Sequence, residues 1–367
     1  MRPPTEAEKA SITRALLLDE GARHKQYPAY FRLYESIFCP EQGEDKIIEI
    51  DDPVLPAHAD ILECAYRLQA NPNLTREELE GSLAADPAIS HLNRKNAVRS
   101  VIRAAFMIDC FVKDKHSQNF EVGGYSPARW EESEPFVSYV DRAIPIPSIQ
   151  NGSEFEGHMS KFTKNLKAWK LQKRCHLQFL PTDNITEHLL YDARTSSVQV
   201  FHHTAYLKAH LRRSIGQPID QQASESLALG MLPPQLLLET LHSIHFILFP
   251  ISKDRTGKSI KTLNTLIRKH WFDPNAQVDE GWIRQDARAK FKYYYWNDRL
   301  EKLYHLVRNP PPKNRLVGWI ERHTNERNAL TVALIALFLS AFFGLMTCLI
   351  GGAQLALAIL AWRDAKP

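Results

Sequence analysis

The chain has 367 residues, of which 44% are hydrophobic and 24% charged, so it can bury a core and does not belong to the disordered class. Its formal net charge of +4 is too small for an overall field that attracts nucleic acid, so any such role requires a local patch. The 5 cysteines are odd in number and widely spaced, which indicates neither a disulfide framework nor a zinc site and favours a reducing compartment.

Residues 1–20, "MRPPTEAEKASITRALLLDE", contain no apolar run long enough for a signal peptide, so we expect the body of the protein in the cytosol. Triplets of the glycosylation type begin at Asn73, Asn151 and Asn184. Because no signal peptide is predicted, we interpret these triplets as accidental.

Residues 1–145 are predicted to form an N-terminal helical module. Three helical patterns, "LPAHADILECAYRLQA", "LTREELEGSLAA" and "SHLNRKNAVRSVIRAAFMID", precede an apparent hairpin around "FEVGGYSP". Thr75 and Glu78 form a capping box at the second helix. This outline resembles a winged helix, whose recognition helix would carry the basic residues Arg94, Lys95, Arg99 and Arg103. A module that packs on its neighbours or on a protein partner is the favoured alternative, and nucleic acid is not an expected partner.

Residues 146–308 are predicted to form a central, mostly helical module with short strands. "HLQFL" and "VQVFH" alternate as strands on either side of a helix capped by Thr182 or Asp183. Further helices are predicted from about Thr204 to Arg213 and from the pair Pro233-Pro234. The whole body is therefore expected to be mainly α with a few short strands, an α+β arrangement.

Histidines are concentrated in this central module, at His176, His188, His202, His203, His210, His242 and His245. Glu239 and His242 have the Glu-x-x-His spacing of di-iron helical bundles. Such a site needs two of these motifs and two further carboxylates, and the sequence offers one motif. We therefore expect histidines that are hydrogen-bonded within the fold or solvated, and we predict no metal, cofactor or catalytic residue.

The stretch "SKDRTGKS", residues 252–259, ends like a phosphate-binding loop. The position of the first glycine is Ser252, where a side chain crowds the turn, and no strand ending in a magnesium-binding Asp follows. We predict a solvated turn with Asp254 and Gly257 before a helix, and no nucleotide binding.

Residues 309–328 are predicted to be a proline-marked linker and a short amphipathic juxtamembrane helix. Between Asn328 and Trp362 there is no charged residue, so 329–362 is predicted to be a transmembrane segment. One straight helix of this length exceeds a bilayer core, so we expect a break near Gly351-Gly352. The short remainder predicts a tail-anchored, single-pass protein with a cytosolic body, most readily in the endoplasmic reticulum or another intracellular membrane.

Small residues recur at every fourth position of this segment, at Ala336, Ser340, Gly344, Cys348, Gly352 and Ala356. Such a stripe lets two helices approach closely. Ser340, Gly344, Cys348 and Gly352 are therefore predicted to support homodimerisation, although part of the pattern is a consequence of composition.

Three stretches in the second half of the chain resemble sequences of a known group of proteins. They are "LQFLPTDNITEHLLYDARTSSVQVFHHTAYLKAHLRRS", "ESLALGMLPPQLLLETLHSIHFILFP" and "HWFDPN". They are similar to those of a family of uncharacterised filamentous-fungal proteins that end in a membrane span. The resemblance covers roughly residues 160–367. It implies a membrane-anchored architecture and no particular chemistry.

The leading hypothesis is a membrane-anchored, non-enzymatic adaptor or scaffold that binds the lipid bilayer and a protein partner. The alternative from another class is a membrane-tethered enzyme or metal protein that uses the histidine-rich middle. A second alternative is a membrane-held DNA-binding regulator.

Overall fold

The computed structural model describes residues 1–39, 57–83, 91–110, 125–145, 161–270, 272–310 and 329–364. These residues are mainly helical with one small sheet, which confirms the predicted fold class. The hairpin predicted around residues 120–127 and the juxtamembrane helix predicted within 309–328 lie largely outside the described residues.

The chain divides into two compact units, Met1–Arg308 and Asn309–Pro367. The boundary predicted at residue 145 lies inside the first unit. Contacts cross it, since the Tyr206 hydroxyl donates to the carbonyl of Ala105 at 3.1 Å and the N–H of Ile185 donates to the carbonyl of Met107 at 2.9 Å.

The N-terminal part of the first unit is helical, and its helices are α1 (Glu6–Leu16), α2 (Pro28–Phe38), α3 (His58–Ala70), α4 (Arg76–Ser82), α5 (His91–Phe106) and α6 (Phe136–Ala143). The capping box predicted at α4 is present, because the Thr75 hydroxyl accepts the N–H of Glu78 while the Glu78 carboxylate accepts the N–H of Thr75. α5 packs on α2, α3 and α4.

The sheet follows α7 (Ala168–Cys175) and contains β1 (Gln178–Thr182), β2 (Tyr191–Asp192) and β3 (Ser197–Phe201). β3 lies in the middle, parallel to β1 and antiparallel to β2. The helix predicted between the two strands is instead a 3-10 turn, Ile185–Glu187, capped by the side chain of Asn184. The chain must return to pair as β2 within a few residues, which leaves no room for a longer helix.

The described helices that follow the sheet are α8 (Thr204–Arg213), α9 (Ala223–Ala228), α10 (Pro234–His242), α11 (Lys258–His270) and α12 (Asn297–Arg308). α10 continues as a π-helical turn, Ser243–Leu248. α8 and α10 pack against each other, and their residues are buried almost throughout. Short 3-10 helices at His24–Gln26, Pro274–Gln277 and Gln285–Lys290 connect the larger elements.

In the described residues of the second unit, the chain forms the long helix α13 (Ala329–Asp364). The break expected near Gly351-Gly352 is absent, because the helix runs through both glycines without interruption. Glycine weakens a helix by roughly 1 kcal/mol, and a helix of this length keeps its backbone hydrogen bonds despite that cost. Within α13, residues Ala333–Trp362 are long and apolar enough to cross a membrane, and none of the most apolar part is buried inside the protein.

Candidate functional site

Asp183, His202 and His203, side chains of types that ligate metals, meet at one edge of the sheet. β1 ends at Thr182 and β3 ends opposite it at Phe201. Because the two strands are parallel, the residues that follow each of them lie close together. Their ligand atoms lie within 4.8 Å of one another. Carboxylate plus two imidazoles is a donor set that binds divalent iron or zinc in other folds.

The hydrogen bonds of the cluster test whether it fits a metal. Oδ1 of Asp183 lies 3.2 Å from Nε2 of His202 and 2.7 Å from Nε2 of His203. On its other side, Nδ1 of His202 accepts the backbone N–H of Asp273 at 3.1 Å. Because Nδ1 is the acceptor, neutral His202 carries its proton on Nε2 and donates it to Asp183.

This tautomer does not suit metal binding by His202. A metal at Nε2 requires a lone pair there and moves the proton to Nδ1, where it would face the N–H donor of Asp273. The arrangement therefore supports a hydrogen-bonded Asp–His–His cluster, not a metal centre. Nδ1 of His203 is buried and has no hydrogen-bond partner among the described residues.

Charge in the cluster is balanced by Arg103, whose guanidinium lies 3.3 Å from Oδ2 of Asp183. Burial alone would raise the pKa of Asp183, but hydrogen bonds from His202 and His203 hold that pKa well below its usual range. Burial, and then repulsion from His203, lowers the pKa of His202 to about 4. At neutral pH, Asp183 is therefore an anion beside a neutral His202.

The Glu-x-x-His motif serves a structural role in α10. Oε1 of Glu239 accepts from the Gln235 amide at 2.8 Å and from the N–H of Tyr294 at 2.7 Å. Oε2 accepts the N–H groups of Tyr295 and Trp296 at 2.9 and 3.1 Å. These donors occupy both carboxylate oxygens, so Glu239 anchors the segment that leads into α12 and does not offer a free metal ligand.

His242, three residues further along, contacts the same segment, because its Nδ1 lies 2.8 Å from the Tyr293 hydroxyl. Burial lowers the pKa of His242 to about 3, and burial raises the pKa of Glu239 to about 7 against the effect of its N–H donors. The motif thus clamps the aromatic sequence before α12.

Other buried histidines join distant segments. Nδ1 of His188 accepts the N–H of Phe201 at 3.2 Å, so its Nε2 donates to the Ser243 hydroxyl at 2.7 Å. Nε2 of His210 lies 3.1 Å from the carbonyl of Leu16, to which it donates. This is the hydrogen-bonded role that the sequence predicted for the histidines.

The loop that resembles a phosphate site already contains an anion. The Asp254 carboxylate accepts the N–H and hydroxyl of Ser259 at 2.8 and 2.6 Å, and the N–H and hydroxyl of Thr256 at 3.2 and 2.7 Å. Lys258 places its Nζ 4.7 Å from the ring centroid of Trp169. A protein carboxylate therefore takes the donors that a nucleotide phosphate would need, which supports a turn. The turn was predicted to be solvated, and Gly257 is exposed, but Asp254 is buried because it accepts these hydrogen bonds.

The predicted basic face lies on α5, where Arg99 and Arg103 are in ion pairs. Arg99 contacts both carboxylate oxygens of Asp109 at 3.1 and 2.9 Å, and Arg103 contacts Asp183. Arg94 and Lys95 are half-buried. Because these ion pairs offset the positive charge of Arg99 and Arg103, α5 has the character of a packed helix more than of a DNA-reading helix.

The predicted association residues Ser340, Gly344, Cys348 and Gly352 all lie exposed on α13. A Cβ added at Gly344 or Gly352 would meet no other atom within 4 Å. The row is therefore open to a partner helix, and dimerisation remains a prediction.

Sequence reasoning missed the role of Asp183 and of Asp254, since each was considered only as a helix cap or a turn residue. The signal for Asp183 was its place directly after a strand, with His202 and His203 directly after a second strand. Comparison of the chain with protein-family models, curated proteins and solved structures gives no match.

Proposed function

We propose that the protein is a membrane-anchored, non-enzymatic adaptor or scaffold, whose helical body presents a binding surface to a protein partner at an intracellular membrane. The observation that carries this proposal is α13. Its apolar side chains are exposed, for example Leu337 at 67% and Phe338 at 75% of their surface. Exposure of a continuous apolar surface of this size to water is energetically unfavourable, whereas the hydrocarbon core of a bilayer solvates it.

The chemistry of the body supports a non-enzymatic role. Asp183, Glu239 and Asp254 each direct their oxygens at hydrogen-bond donors of the protein itself. Catalytic acids and bases need an open side toward a substrate. Glu239 and Asp254, which are buried, thus use their carboxylates to hold the fold together.

The cysteines support a cytosolic body. Cys64, Cys110 and Cys175 are buried and free, without a disulfide among the described residues. Burial raises the pKa of the Cys64 thiol to about 12, which makes it an inert packing residue. Free thiols of this kind suit a reducing compartment.

The membrane part of the proposal is tested by carbonate extraction of the full chain and of a variant lacking Ala333–Trp362. The full chain is expected in the membrane pellet and the variant in the supernatant. Protease added to intact microsomes is expected to digest the body. A full chain that carbonate releases, or a body that the microsomes protect, would contradict the proposal.

The adaptor part is tested by proximity labelling in the native host. The full chain is compared with α13 alone fused to a reporter, and with the body attached to an unrelated membrane helix. A scaffold predicts neighbours that follow the body whichever helix anchors it. If every neighbour follows α13 alone, the body has no partner of its own and the adaptor is excluded.

The metal-protein alternative rests on the Asp183, His202 and His203 cluster. Elemental analysis of the purified chain decides it, with His203→Ala as the matched variant. Metal near one equivalent per chain that is lost in the variant would favour this alternative over the adaptor.

A further inference from the structure

Two segments of the first unit are rich in basic residues and contain no acidic ones. Between residues 157 and 182, and again between 255 and 272, the sequence has no Asp or Glu. We call their basic side chains the lysine surface, and it comprises Lys161, Lys164, Lys167, Lys170, Lys173, Arg174, Arg255, Lys258, Lys261, Arg268 and Lys269. The chain as a whole carries a net charge of only +4, so this is a local concentration of positive charge.

The two segments lie side by side in the fold. α7, in the first segment, packs on α11, in the second. Lys258 of α11 lies over the ring of Trp169 of α7 at 4.7 Å, and Lys170 lies 5.8 Å from the same ring. The charges of both helices therefore belong to one region.

Few of these cations are in ion pairs with carboxylates of the described residues. The carboxylate recorded within ion-pair distance of it is Asp254, 4.0 Å from Lys167, and the Asp254 side chain is 2% exposed. Asp254 already accepts hydrogen bonds from Ser259 and Thr256. Burial, followed by repulsion from Lys167 and Arg174, lowers the pKa of Lys170. Most of the side chains concerned, including Lys164, Lys173, Lys261 and Lys269, are exposed to solvent.

The position of the lysine surface in the chain indicates its partner. α12, the last element of the first unit, packs on α7, where the Cys175 thiol lies 3.4 Å from the carbonyl of Leu306. Arg308 ends α12, and residues 309–332 then lead to the apolar stretch Ala333–Trp362. The lysine surface therefore adjoins the point where the chain leaves the body for its membrane helix.

We propose that the lysine surface docks the body on the anionic lipid headgroups of the membrane that α13 spans. This inference rests on the membrane anchoring of the proposed function. Basic clusters near a membrane helix bind phosphatidylserine-rich leaflets through additive, salt-sensitive attraction. The tether makes the contact intramolecular, so that a modest affinity for lipid is sufficient.

The test is amine footprinting of the full chain in lipid nanodiscs, either of phosphatidylcholine alone or with about one-third phosphatidylserine. A water-soluble acetylating reagent is applied, and mass spectrometry reads each lysine. Acetylation of Lys164, Lys173, Lys261 and Lys269 is expected to slow at least about threefold in the anionic discs. Salt at about 0.5 M is expected to restore it.

Lys290 and Lys292, which are also exposed, are internal controls and are expected to react equally in both discs. The test variant K164E/K173E/K261E/K269E is compared with R213E/R288E/K290E/K292E, which makes the same change in net charge at exposed positions elsewhere. Both variants retain Lys161 and Lys258. Anionic discs should no longer protect these two lysines from acetylation in the K164E/K173E/K261E/K269E variant, but should still protect them in the R213E/R288E/K290E/K292E variant.

Equal acetylation in neutral and anionic discs would overturn the proposal, as would equal loss of protection in both variants. Protection by single-stranded RNA in neutral discs, without protection by anionic lipid, would identify a nucleic-acid surface instead and overturn it too. If the chain does not stay in discs of either kind, the proposed anchor is wrong. The same acetylation experiment with added anionic vesicles then tests, independently of the anchor, whether the lysine surface binds anionic lipid.

Discussion

Glu239 on α10 accepts the backbone N–H of Trp296 at 3.1 Å, although 57 residues separate the two in the chain. Tyr294 and Tyr295 donate to the same carboxylate. These N–H groups belong to the three residues before α12, so the carboxylate fixes the position of the segment that leads into that helix. The buried acid thereby joins two distant parts of the body.

Replacement of Glu239 by Gln is expected to destabilise the body. The amide NH₂ would face backbone N–H donors, leaving buried groups unsatisfied at a cost of about 2–4 kcal/mol in the free energy of unfolding. Chemical denaturation of the full chain in detergent measures the difference. Glu225→Gln, at an exposed position of α9, is the control and is expected to change stability by less than about 0.5 kcal/mol. Equal stability of the two variants would contradict the anchoring role.

Acid is expected to weaken the fold through its buried histidines. Burial lowers the pKa of His202, His210 and His245 to about 4 and that of His242 to about 3. Below pH 6.5 these histidines become protonated in the unfolded chain but stay neutral in the folded chain. Their contribution to stability is therefore fully present above pH 6.5 and is lost as the pH falls from 6.5 to 4. Each adds a slope of about 1.4 kcal/mol per pH unit.

Denaturation at several pH values measures this slope. Glu239 opposes it, since its pKa of about 7 makes the folded chain retain a proton between pH 4.5 and 7. His210→Gln removes one titrating group and is expected to reduce the slope of the free energy of unfolding against pH by about 1.4 kcal/mol per pH unit. A stability that stays constant from pH 7 to 5 would show that the histidines are not buried in their neutral form.

The loop at Asp254 offers a prediction with two matched variants. Asp254→Ala removes the acceptor for the N–H groups of Thr256 and Ser259 and is expected to cost about 1–2 kcal/mol, as does loss of a helix cap. Lys258→Ala loses only its contact with Trp169, which is expected to cost about 1 kcal/mol or less. Isothermal titration is expected to detect no ATP or GTP binding. Micromolar nucleotide binding that Lys258→Ala abolishes would refute this interpretation.

The small-residue row of α13 predicts self-association in the membrane. Replacement of Gly344 and Gly352 by Leu is expected to separate two packed helices while leaving the segment apolar enough to insert. A membrane two-hybrid assay of residues 314–367 measures the association. Leu337→Ala and Leu345→Ala, away from the row, are the controls and are expected to retain the signal. A wild-type signal equal to that of a monomeric standard would refute the prediction that α13 dimerises.

Several elements could be predicted because their signals are local. The strand patterns around residues 176–180 and 198–202 lie within two residues of β1 and β3, and the helix predicted at Thr204–Arg213 has those bounds in the structure. The capping box at Thr75 needs only Glu78, three residues away. The long apolar helix α13 is evident from the absence of charge between 328 and 362.

The parts that escaped prediction depend on contacts between distant residues. The backbone donors to Glu239 lie 55 to 57 residues beyond it, so the Glu-x-x-His spacing could not show that this carboxylate holds the segment before α12. Asp183 meets His202 because β1 and β3 are parallel, and a strand pattern does not contain the pairing direction. The sequence analysis did not identify the lysine surface, because its two acid-free stretches are separated in the chain and are brought together only by the packing of α7 on α11.

The short span of the sheet has a consequence for the order in which the body assembles. Every pairing of β1, β2 and β3 lies within residues 178–201, so closing the sheet costs little loop entropy. During synthesis, this sheet emerges well before Asp273, whose N–H meets His202, and before the residues that meet Glu239. We therefore expect the sheet to act as an early nucleus, onto which the C-terminal segments of the body dock late.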